Sequence, residues 1–79
     1  MSRLTSVQVR IARSALGWSV SDLAKESGVS ARTINRIEVE GGVEVATKAN
    51  LKLIRETFEA AGVEFVGGPG DGPGVRLWK

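Results

Sequence analysis

Residues 19–38, SVSDLAKESGVSARTINRIE, decide the fold of this 79-residue chain. Ser19 suits an N-cap, and Asp22 falls in the first turn of the helix that follows, where the helix dipole favours a carboxylate. Leu23 and Ala24 supply the buried side of that helix, predicted over Val20–Ser27. Gly28 interrupts it. Either a left-handed backbone or a close approach between helices would exclude a β-carbon there. Val29 plugs the corner, and Ser30 caps a further helix over Ala31–Val39. The stretch therefore reads as two short helices joined by a tight turn at Gly28-Val29-Ser30.

The second of these helices is sharply two-sided. At roughly 100° per residue, Ile34 and Ile37 lie about 60° apart on one side, and Arg32 and Arg36 about 40° apart opposite them. Ala31 and Asn35 flank the arginines, and Thr33 lies at the border. One arc thus offers a small apolar group, two guanidinium forks and an amide. Arg pairs with guanine N7/O6 through two hydrogen bonds, Asn can do the same with adenine N6/N7, and Ala can touch a thymine methyl. Ser30 sits at the helix start, where hydroxyl, amides and dipole suit a phosphate oxygen. Two arginines on a helix equally describe the wet side of an ordinary amphipathic helix. The preceding helix and tight turn favour a helix presented to a DNA major groove.

With Ala24, Gly28-Val-Ser30, Ile34, Ile37 and Glu38 at these spacings, the chain resembles the Cro/repressor-type (XRE) helix-turn-helix family. The resemblance is specific over residues 7–38. It implies a mostly α, compact bundle of four or five helices, with the helix at 31–39 in the major groove and its predecessor across the DNA backbone. By position it implies Ala31, Arg32 and Arg36 as base-contacting residues, with Asn35 beside them as a further candidate. It also implies an ion pair between Arg13 and Glu38 that ties the first and third helices together. Many members carry glutamine at the start of the second helix; Val20 stands there in this chain. The amides at that helix start, with Ser19 or Ser21, remain available to phosphate.

Outward from this unit, Thr5-x-x-Gln8 matches a capping box. Val7, Ile11 and Ala15, with Ala12 and Leu16 alongside, follow helical spacing as the expected buried stripe of a first helix ended by Gly17. Residues 1–5 read as a flexible arm carrying Arg3, which is within reach of DNA or simply a tail. Trp18 is expected to fold back on the core. Gly41-Gly42 breaks the chain; it is a connector, or with Lys48 an approach to phosphate. Thr47 caps a last helix over Lys48–Ala61, with Leu51, Ile54, Phe58 and Ala61 on one face. Val63–Val66 and Val75–Trp78 are β-prone runs around the loop Gly67–Gly74, which predicts a two-stranded C-terminal hairpin. That glycine-rich loop lacks the Gly-Lys-Ser/Thr ending of a P-loop, and no helix follows it. The expected organisation is a helix-turn-helix unit over 1–62 and a hairpin over 63–79. Isolated hairpins are marginal, so the strands should pack on the helices or pair with a second copy.

Composition narrows the function. The chain has no cysteine and no histidine, which removes disulfides, Cys-based zinc sites and the usual general base. Glu56 and Glu59 lack any acid–base partner, so an enzyme is not expected, nor a cofactor or metal. No apolar run approaches the roughly 20 residues of a membrane span, and a cytoplasmic chain is expected. Residues 1–36 carry six basic side chains (Arg3, Arg10, Arg13, Lys25, Arg32, Arg36) against Asp22 and Glu26, whereas 37–66 are acidic. A basic N-terminal half points to a polyanion. The expected function is a DNA-binding transcriptional regulator that pairs as a homodimer on an inverted repeat through the last helix or the strands. Ser19, Ser21, Ser30, Thr33 and Lys48 are its candidate phosphate contacts. The alternative is a protein-binding module such as an antitoxin or anti-activator.

Overall fold

The computed structural model describes residues 4–39 and 41–78. In chain order these form α1 (Ser6–Leu16), α2 (Val20–Ser27), α3 (Ala31–Glu38), α4 (Gly42–Val45), α5 (Lys48–Ala60), β1 (Val63–Val66) and β2 (Gly74–Leu77). The fold is mostly helical with a C-terminal antiparallel hairpin, as the pattern of apolar residues and turn signals predicts. Four side-chain caps mark the helix starts: Thr5, Ser19, Ser30 and Thr47 each accept a hydrogen bond from the backbone N–H three residues on. Each satisfies one amide that the first turn leaves without an intrahelical partner. Met1–Arg3, and with them the question of whether Arg3 reaches DNA or is simply a tail, lie outside the described residues. Leu4 does not belong to an arm: it is buried at the edge of the core.

The core gathers Val9 and Ala12 of α1, Leu23 of α2, Val29 of the turn, Ile34 and Ile37 of α3, and Ile54 and Phe58 of α5. Each large apolar side chain taken fully out of water contributes about 1.5–3 kcal/mol before entropy is set against it. Trp18 stacks on Phe58 at 5.8 Å between ring centroids, and Phe65 of β1 meets the same ring edge-on at 6.0 Å. These contacts bind the hairpin to α5 and to the turn after α1.

The inward face of α1 differs from the expected one. Val7 and Ile11 remain 41% and 38% exposed, and Ala15 is exposed, whereas Gln8, Val9 and Ala12 are sealed. The helix is rolled by two polar demands that hydrophobic periodicity does not register. Gln8 donates its amide to the carbonyls of Val66, Gly67 and Gly74 at 3.0, 3.2 and 3.0 Å, while its Oε1 accepts from the Thr5 N–H at 3.0 Å. Arg13, on the other flank, reaches α3. A sealed glutamine must be fully hydrogen-bonded, and among the described residues its amide finds its acceptors in the converging carbonyls at the hairpin mouth.

The strands pair with Val63 opposite Leu77, Glu64 opposite Arg76, Phe65 opposite Val75 and Val66 opposite Gly74. Val63 and Phe65 face the helices, and Glu64 faces outward. The second strand begins one residue earlier than the β-prone run suggests, and Gly67–Pro73 form the loop.

Where the sequence predicts only a break, Gly41-Gly42 starts the four-residue helix α4. Gly41 adopts a left-handed conformation (φ 79°), and the Gly42 N–H donates to the Val39 carbonyl at 2.8 Å. Gly42 lies so close to the end of α3 that a β-carbon would run into the carbonyl oxygens of Arg36 and Ile37. Gly42→Ala is therefore expected to destabilise the fold by about 1–3 kcal/mol, as overpacking does, which calorimetry would read as a melting temperature lowered by roughly 4–8 °C per kcal/mol. Gln8→Leu fills the same space but leaves the three carbonyls short of donors. About 1–3 kcal/mol should be lost, and hydrogen exchange should quicken first at the Val66–Gly74 end of the hairpin, where Gln8 holds the carbonyls.

Candidate nucleic-acid interface

The turn between α2 and α3 is built from three local constraints. Gly28 has φ 79°, and a β-carbon there would meet nothing within 4 Å. Of the two reasons for a glycine, the left-handed backbone is therefore the operative one. Its N–H returns to the Ala24 carbonyl at 2.9 Å, closing α2. Ser27, which sequence reading passes over, donates its hydroxyl to the Leu23 carbonyl at 2.7 Å and accepts from the Val29 N–H at 3.1 Å. Val29 is 4% exposed and drops into the corner between the helices. A small hydroxyl two residues before a buried aliphatic is a turn signal that composition alone does not single out.

α3 presents the two-sided arrangement expected of it. Ile34, Ile37 and Glu38 are buried, Arg32, Asn35 and Arg36 are exposed, and Ala31 and Thr33 are half-buried beside them. Arg32, Asn35 and Arg36 make no hydrogen bond or ion pair with the described residues. Two guanidinium forks and an amide thus stand in water on one edge with their donors unspent. Ser30 accepts from the Thr33 N–H at 3.2 Å and passes its own proton to the Thr33 hydroxyl at 2.9 Å. The two hydroxyls are thereby joined within the cap at the start of α3.

At the start of α2 the Ser19 N–H donates to the Asp22 carboxylate at 2.9 Å, and the Asp22 N–H returns to the Ser19 hydroxyl at 3.0 Å. The Ser19 backbone N–H, and secondly its hydroxyl, hold the Asp22 carboxyl below its usual value. A negative charge therefore sits at this helix start, beside the exposed Ser21. Lys48 is exposed at the start of α5. Between the end of α3 and the start of α5 lies a cleft of about 130 Å³, bordered by Thr33, Arg36, Val45, Thr47 and Asn50. Asn50 joins the polar groups beside Arg36 only because α4 turns the chain back on itself. The two residues stand 14 positions apart in the sequence, and no spacing rule links them.

α3 is held from behind by Arg13 and Glu38. Arg13 Nε and Nη2 donate to the two carboxylate oxygens of Glu38 at 2.8 and 2.9 Å, and Nη1 donates to the Trp18 carbonyl at 3.0 Å. Arg10, counted in the sequence only as part of the basic N-terminal half, adds a hydrogen bond of 2.8 Å to the Glu38 carbonyl at the end of α3, where a cation suits the helix dipole. Glu38 is 7% exposed. The hydrogen bond to Glu38 raises the Arg13 pKa above its usual value, against the pull of burial. Arg13→Met would leave a buried carboxylate with no partner. The expected cost is about 3 kcal/mol, near the low end for a broken buried pair because part of the Arg13 side chain meets water. Urea unfolding measures it, and an unchanged midpoint would remove the pair's structural role.

Comparison with known proteins adds an independent line. Residues 9–59 match the family model described as Helix-turn-helix. A protein of Archaeoglobus fulgidus named "Putative HTH-type transcriptional regulatory protein" is 36% identical over 64 residues, which cover 81% of this chain. The matched stretch is 21% of that relative, so the chain spans about a fifth of its length. No solved structure gives a significant match.

Proposed function

This chain belongs to the XRE-type helix-turn-helix family, and on that premise we propose that it is a sequence-specific DNA-binding transcriptional regulator that reads an inverted repeat as a homodimer. The observation that carries the reading is the outer edge of α3: Arg32, Asn35 and Arg36, exposed and without internal partners, on a helix locked to α1 from its opposite side. A pure adaptor surface has no need of two unspent guanidinium groups beside a helix start.

In this reading α3 enters the major groove. Arg32 and Arg36 each take a guanine edge, Asn35 an adenine edge, and Ala31 a thymine methyl. Phosphates on either side are met by Ser30 and Thr33 at the start of α3, by Ser19 and Ser21 at the start of α2, and by Lys48 at the start of α5. Asp22 makes the start of α2 the less favourable phosphate site. One helix reads too few base pairs for useful genomic specificity. Two copies related by a two-fold axis double the site and separate the half-sites by about one helical turn, roughly 34 Å. The outer side of α5 and the terminal strands are the candidate surfaces for that pairing.

The test is selection of bound fragments from a random DNA pool, followed by titration of the selected site. Arg32→Ala and Arg36→Ala are each expected to lose roughly 1–3 kcal/mol of binding and to relax specificity at one base pair. Lys48→Ala should weaken all sequences alike and reduce the salt dependence by about one counterion. Binding of the selected site by both arginine variants at wild-type affinity would falsify the assignment of α3.

A further inference from the structure

On the outward face of the hairpin Glu64, Arg76 and Trp78 are exposed, and their side chains bond only to one another among the described residues. Three cross-strand pairs lie along this face: Gly62 opposite Trp78, Glu64 opposite Arg76, and Val66 opposite Gly74. Their side chains share that face. Trp78 Nε1 donates to Glu64 Oε1 at 2.8 Å, Arg76 reaches the same oxygen at 3.4 Å, and the Arg76 guanidinium lies 5.6 Å from the Trp78 ring centre. A β-carbon on Gly74 would stand 3.8 Å from Val66 Cγ2. Trp78 is 63% exposed although its indole N–H is already held. A large aromatic ring is thus fixed in one orientation and presented to water, as tryptophan anchors of protein interfaces are.

Each pair joins opposites, and that pattern has a geometric consequence. Consider a two-fold axis parallel to the strands, passing midway between them and just outside this face. It places every residue of one copy over the cross-strand partner position of the other. Arg76 then meets the second copy's Glu64 and Glu64 its Arg76. Trp78 falls over a glycine at position 62, and Val66 over a glycine at position 74. Charge meets opposite charge and bulk meets absence of side chain, twice over. This is the self-complementarity that an isologous interface requires. The geometry points to a second copy of this chain as the occupant of the face, hairpin against hairpin. The hairpin packs mainly on α1 and α5, so this pairing leaves the Arg32–Arg36 edge uncovered.

The inference rests on the reading of two copies per operator and names the surface that joins them. Six residues a side fall well below the roughly 20–30 of a standard interface. Association in free solution is therefore weak, in the high-micromolar range, and DNA bearing both half-sites strengthens it by holding the two copies together.

A charge-reversal exchange tests it without DNA, so that its failure is distinct from failure of the DNA-binding reading. Glu64→Arg carries two positive groups on the face, and Arg76→Glu carries two negative ones. Sedimentation equilibrium up to about 1 mM should show wild type approaching twice the monomer mass and each variant remaining monomeric. An equimolar mixture of the two variants should recover the dimer, at least tenfold tighter than either alone. The internal Glu64–Arg76 pair is broken in both variants, so hairpin stability alone cannot produce that recovery. Trp78→Ala should weaken wild-type association at least tenfold. The inference is overturned by a monomeric wild type at the highest concentration. It is equally overturned by variants that self-associate as wild type does, which would mean pairing through another surface. A mixture that stays monomeric while the near-ultraviolet signal of Trp18 shows both variants folded would also sink it.

Discussion

A carboxylate taken out of water must be paired, and the position of α3 depends on how Glu38 meets that demand. Its two oxygens face the Nε and Nη2 of Arg13. The third guanidinium nitrogen is spent on the Trp18 carbonyl, so the same fork ties the end of α3 to α1 and to the turn after it. Apolar contacts through Ile34 and Ile37 would tolerate some sliding and rotation of α3. A bidentate pair with fixed geometry does not. Such pairs add little net stability over apolar replacements of equal shape; what this one contributes is the angle at which Arg32, Asn35 and Arg36 leave the surface.

The opposite end of α3 is set by local backbone chemistry. The left-handed Gly28, the Ser27 hydroxyl and the Ser30 cap together dictate the angle between α2 and α3. Val29 makes that angle energetically necessary by needing a dry corner. The helix is therefore clamped at its start by a turn and at its end by an ion pair, with Gly42 pressed against its last carbonyls. The side chains of Arg32, Asn35 and Arg36 on its outer side make no hydrogen bond or ion pair among the described residues. A rigid element with an unspent edge is the physical form of preorganisation for binding, since little ordering entropy is left to lose.

The hairpin illustrates a different economy. It is too short to stand alone, and the inward residues Val63 and Phe65 bury on one side only. Gln8 closes its mouth by collecting three carbonyls on one amide group. That arrangement binds the two ends of the chain together and rolls α1, so that Val7 and Ile11, apolar as they are, face outward. The alternation of strand residues then leaves Glu64, Arg76 and Trp78 on the outside, engaged with one another rather than with the body of the molecule.

Much of this was legible in the residues themselves wherever the governing interactions are local. The caps at Thr5, Ser19, Ser30 and Thr47, the helix limits they set, the glycine turn at 28 and the two-sided character of α3 all act within about one helical turn, and local spacing encodes them. The hairpin followed from β-prone runs flanking a segment that neither helix nor strand accepts. Only the tertiary structure decided the inward face of α1. Its periodicity offers a stripe through Val7 and Ile11, but the burial of Gln8 and the reach of Arg13 depend on partners 58 and 25 residues away. The same holds for α4, whose glycines read as a break until the carbonyls of α3 are seen to leave no room for a β-carbon. It holds also for Asn50 beside Arg36. Periodicity reports how a helix would meet a uniform apolar surface; the surface α1 meets carries carbonyls and a carboxylate, and satisfying those buried polar groups outweighs the loss of two half-exposed aliphatic side chains.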